Sequence, residues 1–253
     1  MKALITGASS GLGREITKLL ANTYDELVIV ARTESKLIEL KEEIESSTKA
    51  KVKIVVMDVS IKENCQRLYE ENKNVDLLVN NAGFGDYGEF TETSLDKELT
   101  MINTNIVAYH ILTKLYLTDM MKANKGHILN VASIAGFMPG PLMATYYATK
   151  SYVVRLSQGI REELRRSKSK VKISILCPGP VNTNFKNAAN IKFNFYGADC
   201  KSVAKYTVKH LKRFYIVPRI EVRLSRLPLK FLPSSLVARV IYAVQNSRRK
   251  NDR

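Results

Sequence analysis

The chain has little cysteine, little histidine, a shortage of acid and no long apolar run, and each shortage excludes something. Its 253 residues hold three cysteines, Cys65, Cys177 and Cys200. An odd number without metal-ligand spacing argues against a disulfide framework and fits a reducing cytosol, so a cytoplasmic location is expected. No apolar run approaches the roughly 18–20 residues that span a bilayer. The first strand is expected to start at residue 2, leaving no room for a signal peptide. Of the three histidines, His110 and His127 sit beside apolar residues and His210 lies in a basic segment. The first two read as structural, and no His/Cys/Asp cluster suggests a metal. Acids number 24 against 40 Lys and Arg, a net charge of +16. Residues 201–253 alone carry 14 Lys/Arg against Glu221 and Asp252, so about +12 sits in the last fifth of the chain. That is either a solvated basic surface or an attraction to something anionic.

What is present is a regular alternation of apolar, β-branched runs with amphipathic ones. Strands are expected at 2–6, 26–31, 51–57, 75–79, 126–132, 171–177 and 214–218. Helices are expected at 11–22, 34–47, 61–72, 95–122, 143–168 and 199–212. The strand runs are continuously apolar, as in Leu27-Val28-Ile29-Val30 and Leu77-Leu78-Val79, the pattern of strands buried on both faces. Strand–helix alternation with right-handed crossovers gives an α/β fold, a Rossmann-like, doubly wound parallel sheet of about seven strands. No linker or repeat interrupts it, so residues 1–253 read as a single domain. The rhythm breaks at 84–94, 133–142, 178–198 and 219–235. The first three are loops beyond carboxyl ends of strands, where such sheets build their sites.

Thr6-Gly7-Ala8-Ser9-Ser10-Gly11-Leu12-Gly13 joins the first strand to the first helix. Glycines permit a tight turn and close approach of a ligand, and the helix start offers amides and a positive dipole end to a phosphate. The spacing Gly-x-x-x-Gly-x-Gly is a relative of the dinucleotide fingerprint, and a plain loop is the competing reading. Arg32 ends the second strand, where an acid would bind the ribose hydroxyl of NAD; its guanidinium suits the 2′-phosphate of NADP instead. Asp58-Val59 follows the third strand, placed to approach adenine. Asn80-Asn81-Ala82-Gly83 follows the fourth, where it can be structural or cofactor-facing.

Tyr146 and Lys150 stand four apart, on one face of a helix. Tyr69 and Lys73 repeat that spacing within a polar stretch that reads as a solvated helix end. Only Tyr146 is preceded, 13 residues earlier, by a serine closing a strand, Ser133.

Together the glycine turn, Asn80-Asn-Ala-Gly83, Ser133, Tyr146-x-x-x-Lys150 and Pro178-Gly179 resemble the short-chain dehydrogenase/reductases in order and spacing, over roughly residues 1–218, and most of all the classical bacterial type. The resemblance implies a catalytic set of Asn105, Ser133, Tyr146 and Lys150, with Asn103 a rival for the asparagine. It implies that NADP lies on Gly7, Ser9, Ser10, Gly11, Leu12 and Gly13, then on Arg32, Asp58 and Val59. Asn81, Ala82 and Gly83, Tyr146 and Lys150, and Pro178, Gly179, Val181 and Thr183 complete the expected cofactor set. Tyr146 would exchange a proton with substrate, Ser133 hold the substrate oxygen, Lys150 hold the ribose, and Asn105 a relay water. A free tyrosine titrates at about 10, too high for exchange near neutrality, and a neighbouring ammonium favours the phenolate. The resemblance also implies a homodimer or homotetramer. Apolar positions in 95–122 (Leu112, Leu115, Leu117, Met120, Met121) and 143–168 (Val153, Val154, Leu156, Ile160, Leu164) either pair across a two-fold axis or fill the core.

Phe84, Phe137, Met138, Pro139, Leu142, Met143, Phe185, Phe193, Phe195 and Tyr196 are expected on the substrate side, pointing to a hydrophobic ketone or aldehyde. A rival reading is a non-enzymatic NADP-binding protein that uses its basic C-terminus as a partner surface. In 219–253, large apolar residues interleave with Arg219, Arg223, Arg226, Lys230 and Arg239. A substrate-site lid is favoured there over weak peripheral membrane contact, because Pro228 and Pro233 are expected to cut the segment into short pieces. Nucleic acid is the third reading, without any groove-reading motif.

Overall fold

The computed structural model describes residues 1–183, 185–190, 197–225 and 231–250. Among them, seven strands form one sheet: β1 (Lys2–Thr6), β2 (Glu26–Ala31), β3 (Lys51–Val56), β4 (Leu77–Asn80), β5 (His127–Val131), β6 (Lys172–Leu176) and β7 (Tyr215–Ile216). The order is 3-2-1-4-5-6-7 and every pairing is parallel, the doubly wound arrangement expected. The order reverses between β1 and β4, so the crevice for a ligand opens at their carboxyl ends.

The helices are α1 (Gly11–Leu20), α2 (Glu34–Ser47), α3 (Lys62–Glu71), α4 (Leu95–Ile102), α5 (Ala108–Ala123) and α6 (Ala144–Arg166). Then come α7 (Phe185–Ala188), α8 (Cys200–Lys209), α9 (Ile220–Ser225) and α10 (Ser234–Lys250). Successive strand residues face opposite sides. Ala3 and Ile5 pack with Ile16 and Leu20 of α1, Leu37, Leu40 and Ile44 of α2 and Ala204 of α8. Leu4, Val28 and Val30 face the other layer, against Cys65 and Leu68 of α3 and Leu112, Tyr116 and Met120 of α5. Each Leu, Ile, Val or Met side chain so buried contributes about 1.5–3 kcal/mol.

Three expectations need correction. β3 is not buried on both faces: as the edge strand it exposes Lys51, Lys53 and Val56, and lysines on an edge discourage pairing with other chains. The helix expected over 95–122 is interrupted by a π turn at Asn103–Val107, which separates α4 from α5. The C-terminal segment is not all short pieces, for α10 runs 17 residues. Pro233 starts this helix instead of breaking it: its carbonyl accepts from the amides of Leu236 and Val237 at 3.1 and 3.2 Å. A proline at a helix start gives up an amide that would have had no partner. Pro228, Arg226, Lys230, Phe193, Phe195 and Tyr196 lie outside the described residues.

Candidate active site

The glycine turn fits a phosphate-bearing ligand by its backbone. Gly7 has a φ of +67°, and its amide bonds the Val30 carbonyl at 2.8 Å. A Cβ on Gly13 would lie 2.3 Å from the Gly7 carbonyl oxygen and 2.4 Å from Asn81 Nδ2, so only glycine lets the turn close. Ser10 caps α1 in extended conformation without a side-chain bond to its amides. Thr183, on the loop after β6, returns over this turn: a Cβ on Gly11 would meet its side chain at 3.2 Å. The Pro178–Thr183 loop and α1 therefore face each other across the crevice.

Asn81 resolves one open reading. Its Nδ2 donates to the carbonyls of Thr6 and Gly7 at 3.0 and 3.1 Å, and Thr6 Oγ1 accepts from the amides of Asn81 and Ala82 at 3.0 and 3.1 Å. The Asn81 side chain is thus a brace between β1 and the β4 loop. Asn80 belongs to β4 and not to the loop. Fully buried, it donates to Thr113 Oγ1 at 3.0 Å and to Asn130 Oδ1 at 2.9 Å. Asn130 passes the bond on to Ser157 of α6 at 2.9 Å.

At the end of β2, Arg32 remains 70% exposed, its guanidinium 3.6 Å from Asp58. Arg14, also near the turn, is held by Glu39 and Glu43 at 2.9 and 2.8 Å. Burial alone would raise the Asp58 carboxyl; bonding from Ser60, at 2.9 Å from its amide, and the Arg32 charge outweigh it and hold the group below its ordinary value. Val59 is buried in the core, its carbonyl accepting from Cys65 Sγ at 3.2 Å.

The catalytic candidates converge from three elements. Asn105 sits in the π turn and is fully buried, whereas Asn103 is exposed. Asn105 Nδ2 donates to the Phe84 carbonyl at 2.9 Å and Thr149 Oγ1 at 3.1 Å, and its Oδ1 accepts from the Phe84 amide at 3.2 Å. A π turn bulges the helix locally, a feature frequent at functional sites. Gly83 lies against this group: a Cβ there would be 2.8 Å from Asn105 Oδ1 and 3.4 Å from Lys150 Nζ. Ser133, closing β5, accepts from the Ala135 amide at 3.2 Å and donates to the Pro178 carbonyl at 3.4 Å, and its hydroxyl lies near enough to the Tyr146 phenol to favour the phenolate. Lys150 is buried, and its Nζ donates to the Val131 carbonyl at 3.0 Å.

Contrary to expectation, Lys150 does not bring the Tyr146 phenol down toward neutrality in these surroundings. Burial raises the phenol above 10; the Ser133 bond opposes this and Tyr147 adds to it. The Lys150 ammonium is 5.9 Å from the Tyr146 ring centroid and is spent on Val131, so desolvation of the phenol wins. The same burial pushes Lys150 down to about 8.

Substrate-side expectations divide. The Phe185 ring stands 5.2 Å from that of Tyr146, and Phe185, Met143 and Tyr87 pack on Ala189. Leu142 is buried with a φ of +64°, an uncommon conformation for a branched side chain. Phe137 belongs elsewhere, packing against Tyr215 at 6.0 Å in the core under α6. The second Tyr/Lys pair is structural: Tyr69 donates to Asp119 at 2.7 Å and packs edge-on against Tyr116.

Sequence reasoning missed Thr149, which holds Asn105, the Asn80–Asn130–Ser157 row, and Gln245 of α10. Gln245 Nε2 donates to Tyr147 Oη at 3.3 Å and its backbone carbonyl accepts from Tyr87 Oη at 3.1 Å, which ties α10 to Tyr147, the residue after Tyr146 in α6. No periodicity marks such contacts, since each depends on a partner 27–158 residues away. His110 bonds Tyr152, His127 bonds Ser174 and His210 stacks on Tyr206. No metal-holding group of His, Cys, Asp or Glu occurs among the described residues.

A paired Tyr and Lys, a serine at a strand end and a bulge asparagine around a dinucleotide crevice define an oxidoreductase site. The chain matches the family model described as short chain dehydrogenase over residues 1–193, and it belongs to that family, whose members act on alcohols and carbonyls with a nicotinamide cofactor. It is 35% identical over 185 residues to an uncharacterised oxidoreductase of Staphylococcus saprophyticus, covering 72% of this chain and 78% of that one. A short-chain dehydrogenase of Sphingobium yanoikuyae in complex with NADPH superposes with a TM-score of 0.83 at 24% identity, over 90% of this chain and 91% of the other. One from Burkholderia phymatum in complex with NAD gives 0.80 at 27% identity, over 89% and 91%. No described helix is long and apolar enough to cross a membrane.

Proposed function

We propose that this protein is an NADP-dependent reductase or dehydrogenase of a hydrophobic ketone, aldehyde or the corresponding alcohol. The nicotinamide, when bound, gives or takes the hydride at the substrate carbon. Tyr146 moves the proton at the substrate oxygen, Ser133 bonds that oxygen, and Lys150 holds the ribose hydroxyls. Asn105 retains a water of the proton relay. The observation that carries this reading is the gathering of four side chains at one end of the crevice: Ser133 is near enough to the Tyr146 phenol to favour its phenolate, Lys150 Nζ stands 5.9 Å from its ring, and Asn105 and Lys150 both border Gly83. A protein that merely bound the cofactor would have no use for a half-buried phenol set beside a serine and a buried lysine at the crevice.

Preference for NADP rests on Arg32, the guanidinium near the turn that is largely exposed to solvent, while Arg14 is committed to two glutamates. The substrate class rests on Met143 and Phe185 beside Tyr146 and on α10 as a further wall. Oxidation of NADPH with a panel of aliphatic and aromatic ketones and aldehydes tests the reading. Turnover abolished by Tyr146→Phe is the expected result. Tight NADPH binding without turnover on any carbonyl would favour a non-enzymatic binding protein instead.

A homodimer is proposed from the family pattern, on weaker grounds than the sequence suggested. Leu112, Met120, Val153, Val154 and Leu164 are all buried within the chain and need no partner. Met121 is exposed, and nothing stands within 4 Å of a Cβ on Gly159 of α6, which leaves a close approach open. Light scattering should give a mass above that of a 28.6 kDa monomer.

A further inference from the structure

The two faces of α10 do different work. Inward, Val237 and Gln245 are buried, and Gln245 bonds Tyr147 and Tyr87. Outward, Leu236, Val240 and Val244 stand four apart on one face and are 45%, 53% and 42% exposed. Just before the helix Phe231 and Leu232 are 85% and 44% exposed, and on α9 Ile220 and Leu224 are 67% and 57% exposed. Scattered exposed apolar residues are ordinary, but a cluster of this kind marks a surface that meets something.

Charge decides what it meets. Arg223 and Arg239 are exposed on the same two helices, and no acid occurs between Glu221 and Asp252. Residues 222–251 carry seven Lys/Arg and no acid, so a second copy of this face would set like charges against like. Nucleic acid would match the charge and leave the aliphatic stripe in water. An anionic bilayer satisfies both at once: the stripe enters the acyl boundary while the arginines meet headgroups.

We propose that the outward face of α9 and α10 lies on an anionic membrane surface, with the inward face of α10 against the wall of the site. The attachment is peripheral and reversible. It does not depend on the reductase reading, since binding is measured without turnover. Because the inward face reaches Tyr147, next to Tyr146, a docked enzyme would present its site close to the lipid boundary.

Sedimentation of the full chain with phosphatidylcholine vesicles, with and without phosphatidylglycerol, tests this. Binding is expected only with phosphatidylglycerol, weakening as salt rises. The triple variant Leu236→Ser, Val240→Ser, Val244→Ser should partition about tenfold or more weakly while keeping the far-UV spectrum and NADPH affinity of the parent. Absence of binding to anionic vesicles at low salt overturns the proposal. So does equal binding by the triple variant, which would assign attraction to charge alone. A fall in oligomer mass in the triple variant, without vesicle binding by the parent, would make the stripe a protein contact and overturn it as well.

Discussion

Lys150 Nζ and Tyr109 Oη donate to the same carbonyl oxygen, that of Val131, at 3.0 and 3.1 Å. The shared acceptor fixes the ammonium at the end of β5, where the strand delivers Ser133 two residues later. It also holds a charge in a buried place, and that has a measurable consequence.

Burial pushes Lys150 down to about 8 in the folded chain, from an ordinary value of 10.5. A base whose folded value is depressed destabilises the fold while it is protonated, below about 8. The penalty fades as pH rises from 8 to 10.5 and is gone above. Lys150→Met should therefore raise stability near pH 7 by up to about 3 kcal/mol, since each pH unit between the two values is worth about 1.4 kcal/mol. The gain should shrink toward zero by pH 10.5, while activity is lost throughout. Denaturant melts across that range check the sign.

Tyr146→Phe should remove nearly all turnover and leave NADPH binding largely intact. Tyr69→Phe removes only the bond to Asp119. It should cost about 1 kcal/mol of stability and leave kcat unchanged. Comparable loss of kcat in both variants would reverse the choice between the two motifs.

Arg32→Asp should weaken NADPH binding at least several-fold more than NADH binding, because it removes the exposed cation and sets a second carboxylate beside Asp58. Fluorescence titration with each cofactor reads the difference. Equal losses would detach Arg32 from the 2′-phosphate.

His127 bonds Ser174 at 2.8 Å, and burial pushes it down to about 4. As pH falls below the unfolded value of about 6.5, the unfolded chain takes up the proton first. Stability is then lost progressively down to about pH 4, by an amount on the order of 3 kcal/mol. His127→Gln should flatten this limb of the stability profile; an unchanged acid limb would show that carboxylates alone set it.

The sheet was legible because its strands are buried continuous runs, and Leu27–Val30 or Leu77–Val79 admit little else. β3 misled because an edge strand can be apolar in sequence and still carry lysines outward. The site residues were legible as a spaced pattern, yet their states were not. Pairing Tyr146 with Lys150 at helical spacing says nothing about the Val131 carbonyl that takes up the ammonium. Pro233 was misread because a proline that ends one segment can equally begin the next, and only the flanking backbone bonds tell which. Asn105 could be told from Asn103 only once the bulge set one inward and the other in solvent.

The π turn that does this is in effect a one-residue insertion absorbed without breaking the helical path. An i→i+5 turn fits one residue more than an i→i+4 turn into nearly the same sweep. Deleting one residue from Asn103–Val107 would thus restore regular winding and leave α4 and α5 close to their present phase. What would go is the bulge itself, and with it the brace from Asn105 to Phe84. A length change of one, harmless in an exposed loop, would here cost the site its inward asparagine while the helices on either side stayed in place.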